Sequence, residues 1–95
     1  MKRFDVKLQN GTAAGYEIQL IKASLVLVLT KKGFVMCGYL NIATADKLGD
    51  VAAVVRGVAT VDELLIAKVQ EVSEAAKKIG IEIGMTGESA LEKMM

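Results

Sequence analysis

The chain has 95 residues, of which 53% are hydrophobic and 24% are charged, and its formal net charge is +1. This length fits a single domain, residues 1–95, and the near-neutral charge with 4% aromatic residues argues against nucleic acid as a partner. No apolar run reaches the roughly 18 residues that a membrane span requires, and the first ten residues lack a signal-peptide core, so we expect a cytoplasmic protein that does not bind membranes.

The first half of the chain has the patterns of strands. Apolar residues alternate with polar ones over residues 4–8 and 16–20, and Asn10-Gly11 between them is a strong tight-turn signal. Residues 24–30 are apolar on both faces, which predicts a central strand covered on both sides. A turn at Lys31-Lys32-Gly33 then predicts an antiparallel neighbour over residues 34–40.

The second half mixes helices with strands. A short helix is predicted over residues 42–48, followed by a buried strand over 51–56. Thr60 and Glu63 form a capping-box pair that opens a long amphipathic helix to Ile79, with a bend near residues 66–68. Residues 81–83 are predicted to form a short strand parallel to 51–56, and Thr86 caps a last helix.

These patterns together predict an α+β fold. We expect a mixed sheet of about five to six strands, with N-terminal antiparallel hairpins followed by β-α-β-α units and helices packed on the sheet. The apolar content exceeds what one small core easily buries, and the surplus favours a homo-oligomer; a dimer is expected first, and a trimer is the open alternative.

Cys37 is the candidate nucleophile, and the same residue is also typical of a small buried apolar group. One cysteine and no histidine exclude an internal disulfide, a zinc site with several thiolates and a Cys–His pair. An activated Cys37 would therefore need a neighbouring cation or a helix N-terminus. We expect no metal and no cofactor.

A second candidate site follows from the predicted parallel strands. Their carboxyl ends would lie on one edge, and each leads through glycine to a threonine-capped helix whose first N–H groups attract anions. Ordinary helix capping explains each threonine equally well. The candidate ligands of a small anion are Arg56, Gly57, Thr60, Gly84, Thr86 and Gly87.

Three segments together resemble the YunC-like family of domains of unknown function. They are GFVMCGYL from Gly33, GVATVDELL from Gly57 and IGIEIGMTGESALEKM from Ile79. The resemblance covers roughly residues 15–94 and implies a small α+β domain of archaea and some bacteria. It implies no established activity and no catalytic residue, and the family pattern commonly has aspartate where this chain has Asn41.

The leading functional hypothesis is a cytoplasmic homo-oligomeric domain that binds a small anionic ligand or acts as an interaction module. The first alternative is a cysteine-dependent enzyme that uses Cys37. The second is a purely structural subunit without a ligand.

Overall fold

The structure, a computed structural model, describes residues 1–39 and 41–95. It contains one six-stranded sheet in which the strands follow one another in chain order. The strands are β1 Lys2–Leu8, β2 Gly11–Gln19, β3 Ser24–Leu29, β4 Gly33–Met36, β5 Val51–Val54 and β6 Glu71–Val72. The helices are α1 Ile42–Leu48, α2 Val61–Ile66, α3 Glu74–Lys78 and α4 Gly87–Met94. Within the described ranges, no helix has the length and hydrophobicity needed to cross a bilayer.

The predicted α+β mixed sheet is confirmed. Strands β1 to β4 form consecutive antiparallel pairs, and β4 pairs with β5 in parallel through the crossover helix α1. Asn41 caps α1 because its side chain accepts a hydrogen bond of 2.7 Å from the Ala43 N–H. The predicted end of this helix is also confirmed, since Gly49 adopts the left-handed conformation with φ 78°.

The prediction of one long helix from Thr60 to Ile79 is wrong. The helix ends at Ile66, and α3 begins only at Glu74 after the short strand β6. The Gln70 N–H donates to the Val54 carbonyl at 2.7 Å, and β6 pairs antiparallel with β5. Hydrogen bonds to a distant strand therefore replace the helical ones that the periodicity favours.

The predicted strand over residues 81–83 is also absent. Ile81 is buried at 1% exposure while Ile83 is 64% exposed, and neither belongs to the sheet. The Gly84 N–H instead donates to the Val69 carbonyl at 2.9 Å. The strand predicted over residues 34–40 ends at Met36, and Leu40 lies outside the described residues.

The sheet separates two apolar layers of different size. Helices α2, α3 and α4 cover one face, where Val26 and Val28 of β3 are fully buried. Helix α1 covers the other face over β4 and β5, and Leu29 of β3 stays 38% exposed there. Complete cover of β3 on both sides, as predicted from its sequence, is therefore wrong for this second face.

Helix α4 is attached to the end of the sheet that carries the β1–β2 and β3–β4 turns. The Glu92 carboxylate accepts hydrogen bonds from the Gln9 N–H at 2.7 Å and the Asn10 N–H at 3.1 Å. The Met94 carbonyl accepts from the Lys32 N–H at 3.2 Å in the β3–β4 turn. The opposite end of the sheet carries the β2–β3 turn and the loops that follow β4 and β5.

Candidate functional site

A surface cleft of about 360 Å³ lies at the carboxyl ends of the parallel strands β4 and β5. In open α/β sheets, ligands bind at this end of the strands, where loops rather than ladder residues face the solvent. The cleft is lined by Ala23, Ser24, Cys37, Gly38, Tyr39, Arg56, Gly57 and Val58.

The parallel ladder explains why these segments meet. Met36 and Val54 are register partners at the ends of β4 and β5, and the Val55 N–H donates to the Met36 carbonyl at 2.9 Å. The two strands therefore end at the same level. The segments that follow them, Cys37-Gly38 and Arg56-Gly57, are placed side by side in the cleft.

Arg56 is the cation of the cleft. A Cβ built on Gly38 would lie 3.4 Å from Arg56 Cγ and 3.5 Å from Arg56 Nε, so the arginine side chain crosses over the glycine. Its guanidinium donates to a carboxylate oxygen of Glu71 on β6. The Arg56 side chain is 53% exposed, so solvent reaches the guanidinium despite this ion pair.

Cys37 forms part of the cleft wall and part of the core. It is 4% exposed, and its Sγ accepts a hydrogen bond of 3.3 Å from the Val26 N–H. Its own N–H donates to the Val26 carbonyl at 3.0 Å, which holds the residue against β3. The sulfur therefore packs in the apolar cluster on the helical face of the sheet.

We expect Cys37 in native protein to react much more slowly with a thiol reagent such as DTNB than in urea-unfolded protein. The reason is its burial, because a reagent reaches only exposed thiolates. Cys37→Ala should cost about 1 to 3 kcal/mol of stability through lost packing, measured by urea unfolding. Rapid labelling of native protein at neutral pH would contradict this expectation and support a cysteine-dependent enzyme.

Thr60 lies at the start of α2, away from the cleft lining. Its hydroxyl accepts from the Glu63 N–H at 3.1 Å, as the capping-box pattern predicts. Two carboxylates already satisfy neighbouring donors: Glu17 accepts from the Val61 N–H at 2.7 Å and Glu63 from the Ala59 N–H at 2.6 Å. The protein's own side chains thus occupy the place where an anion would bind this helix.

Gly84, Thr86 and Gly87 lie at the start of α4, which contacts the carboxyl-terminal part of α2. The Gly87 N–H donates to the Ala67 carbonyl at 2.9 Å, and Thr86 caps the helix by accepting from the Ser89 N–H at 3.1 Å. Six residues of α2 separate this point from Thr60, a rise of about 9 Å. The two helix starts are therefore too far apart to bind the same anion. The prediction that they would meet depended on a parallel strand that is absent.

The structure thus places Arg56, Gly57 and Cys37 in one cleft. The other predicted ligands, Thr60, Gly84, Thr86 and Gly87, do not line it. Sequence reasoning missed Glu71, which the helical periodicity placed on the long helix. Gly38 carried a usable signal, because a glycine inside the strand predicted over residues 34–40 marks a bulge or a close approach of another chain segment. Among residues 1–39 and 41–95, no cluster of three or more potential metal ligands is present.

Comparisons with known proteins match this chain to proteins of unknown function. Residues 36–94 match the model of the domain of unknown function DUF1805. The uncharacterized protein YunC of Bacillus subtilis (strain 168) is 42% identical over 82 residues, which cover 82% of this chain and 81% of that protein. The crystal structure of TA1206, a protein of unknown function from Thermoplasma acidophilum, has a TM-score of 0.94 at 35% identity and covers 99% of this chain and 92% of that one. The chain therefore belongs to the YunC-like family of DUF1805 domains.

Proposed function

We propose that this protein binds a small anionic molecule, with a carboxylate or phosphate group, in the cleft beside Arg56. The observation that carries the proposal is the Arg56 side chain, 53% exposed at the carboxyl ends of two parallel strands. A guanidinium has five N–H donors in a planar fork that matches carboxylate and phosphate oxygens. Glu71 holds the side chain across Gly38 and leaves donors for a ligand.

The rest of the cleft suits the body of such a molecule. Ala23, Val58 and the ring of Tyr39 contribute apolar surface. A Cβ built on Gly57 would have no heavy atom within 4 Å, so the backbone on this side is open to approach. Small ligands are commonly held in this way, by apolar walls and a few polar groups that fix orientation.

The test measures thermal stability with phosphate, sulfate or citrate against chloride at matched ionic strength. We expect a rise in the melting temperature that saturates at low millimolar anion, where exclusion of salts from the protein surface is negligible. A ligand at 100 times its dissociation constant adds about 2.7 kcal/mol to the free energy of unfolding. Arg56→Ala should abolish the gain, and Glu71→Gln should preserve or increase it by freeing the guanidinium.

Arg3→Ala is the matched control. Arg3 is an exposed arginine with its own ion pair to Asp5 at 3.1 Å, on the strand at the far edge of the sheet. Hydrogen bonds with Tyr16 and with Asp5 raise the pKa of Arg3, so it is charged in the same conditions. The anion effect should survive in this variant. A linear response, unchanged in Arg56→Ala, would instead support a structural subunit without a ligand.

A cysteine-dependent enzyme is the second candidate, because Cys37 lines the same cleft as Arg56. Its support is weaker than that for simple binding, since the sulfur is engaged with the Val26 N–H and buried.

A cytoplasmic location completes the proposal. A single cysteine held as a free thiol is compatible with a reducing compartment.

Self-association is a further part of the proposal. Its support is the apolar surface that remains outside the two cores, including Leu29 at 38%, Tyr39 at 52% and Ile21 at 100% exposure. A sheet with an open edge offers a second means of joining copies. We infer a two-fold dimer, the commonest arrangement of identical chains.

A further inference from the structure

The two edges of the sheet are very different. Strand β6 forms one edge with two residues, whereas β1 forms the other with seven. No strand of the described residues pairs with the outer side of β1, so its outward N–H and C=O groups form a template for another strand. The burial pattern agrees, because most residues of β1 are exposed.

We propose that β1 pairs with β1 of a second copy, antiparallel and centred on Val6, so that the two sheets become continuous. This inference rests on the self-association proposed above and assigns it a surface. A two-fold axis through such a pair makes the interface self-complementary, so each contact occurs twice.

The charges of β1 select this register. Opposed residues in an antiparallel pair share a face of the sheet, so even positions oppose even ones and odd positions oppose odd ones. With Val6 opposite the partner's Val6, Asp5 lies opposite the partner's Lys7, and Lys7 opposite the partner's Asp5. On the helical face, Phe4 lies opposite the partner's Leu8. In this register, opposite charges face each other on one side of the strand and apolar residues face each other on the other side.

The neighbouring registers fit less well. Centring on Asp5 would oppose two aspartates and would place Arg3 opposite the partner's Lys7, and like charges directly opposite destabilise a strand pair. Centring on Phe4 would join Arg3 to the partner's Asp5, but it would place Lys2 opposite the partner's Val6 on the apolar face.

A groove beside β1 offers room for the partner's side chain. Between the edge strand and α2 lies a cavity of about 300 Å³. Phe4, at 39% exposure, forms its strand side, and Val61 and Leu65 form its helix side. The partner's Leu8 opposes Phe4 in the proposed register; it is half-buried against its own core, and its exposed part would contact the Phe4 ring at the mouth of this groove.

Sedimentation equilibrium of the wild-type chain at micromolar concentrations should give twice the mass of one 10.1 kDa chain. A monomer throughout would overturn self-association itself, and the β1 interface with it. Anion binding at Arg56 is measured separately and would stand.

Charge reversal then tests the register. Asp5→Lys and Lys7→Asp each turn both ion pairs into like-charge pairs, and each should raise the dissociation constant of the dimer by about tenfold. Mixing the two variants restores opposite charges at both positions, so a heterodimer should form with near wild-type affinity. Lys22→Asp, an equal charge change at an exposed loop residue, should leave the dimer intact.

Cross-linking gives an independent readout. In a Cys37→Ala background the chain has no cysteine, because Cys37 is the only one. Mild oxidation should join Asp5→Cys to Lys7→Cys in a mixture, and neither variant alone. A disulfide in Asp5→Cys alone, or between Arg3→Cys and Asp5→Cys, would overturn the register. A dimer that keeps its affinity through both charge reversals but dissociates in Leu29→Glu would place the interface on the exposed sheet face and overturn the proposal.

Discussion

Ser73→Ala should lower the free energy of unfolding by about 3 kcal/mol, even though the change removes only one oxygen atom. Ser73 is fully buried, and its hydroxyl donates to the Asp50 carbonyl at 2.7 Å. The same oxygen accepts from the Ala52 N–H at 3.0 Å and the Ala76 N–H at 3.2 Å. Each buried backbone group left without a partner costs about 1 to 3 kcal/mol, and loss of a helix cap about 1 kcal/mol.

The comparison variant is Ser89→Ala. Ser89 also accepts a hydrogen bond through its hydroxyl, from Thr86 at 3.0 Å, but it is exposed on α4. In the variant, water replaces the Ser89 hydroxyl as the acceptor for Thr86. We therefore expect the free energy of unfolding to fall by no more than about 0.5 kcal/mol. Urea unfolding of the two variants measures the difference. Equal small losses would mean that Ser73 does not join α3 to the start of β5.

Gly87→Ala should prevent stable folding or cost more than about 3 kcal/mol. A Cβ at this position would lie 2.2 Å from the Leu64 carbonyl oxygen, because the first turn of α4 packs directly on the backbone of α2. Helix propensity alone predicts that the substitution would stabilise the protein, since alanine is more favourable than glycine by about 1 kcal/mol inside a helix. The clash decides the outcome, because a backbone atom cannot move aside as a flexible side chain does.

Gly38→Ala is the control for this second prediction. The three atoms nearest to the added methyl would all belong to the flexible Arg56 side chain, at 3.4 to 3.8 Å, which is ordinary contact. We expect a stability change below about 1 kcal/mol in thermal and urea unfolding. A Gly87→Ala protein as stable as wild type would show that the two helices do not approach each other through their backbones.

Local pattern was sufficient for the first half of the fold. Alternation, the Asn10-Gly11 turn and the Lys31–Gly33 turn predicted the antiparallel meander, and Gly49 marked the end of α1. All of these signals lie within a few residues of the structure that they determine. The parallel step from β4 to β5 followed from the short helix between them.

The failure over residues 60–79 has a physical cause. Val61, Leu65, Val69 and Val72 repeat at helical spacing, yet Val72 pairs with Ala53 of β5. A ladder bond to a strand far away in the sequence leaves no trace in local periodicity, and tertiary context overrides propensity. Ser73, a favoured N-cap residue directly before the segment Glu74–Lys78, was the available sign that a second helix begins there.

The candidate site was predictable in part for the same reason. The sequence placed Arg56 and Gly57 where the strand over residues 51–56 meets its loop, and they do line a cleft with Cys37 there, although both β4 and β5 end earlier than predicted. The partner of Arg56 could not, because Glu71 reaches it only through the unpredicted strand β6. The start of α4 was assigned to the same edge on the basis of a parallel strand that does not form.

The hydrogen bonds between α4 and the β1–β2 turn affect how the chain folds. The hydrogen bonds that the Gln9 and Asn10 N–H groups donate to the Glu92 carboxylate close loops of 83 and 82 residues. Contacts of such large sequence separation slow folding, because the entropy of loop closure is lost before the contact forms. The N-terminal meander can assemble early from neighbouring hairpins, whereas the packing of α4 on β4 and β5 requires the two ends of the chain to meet. We expect partly folded chains in which α4 has not docked to expose apolar surface of β4, including Val35, and to aggregate more readily than the native protein.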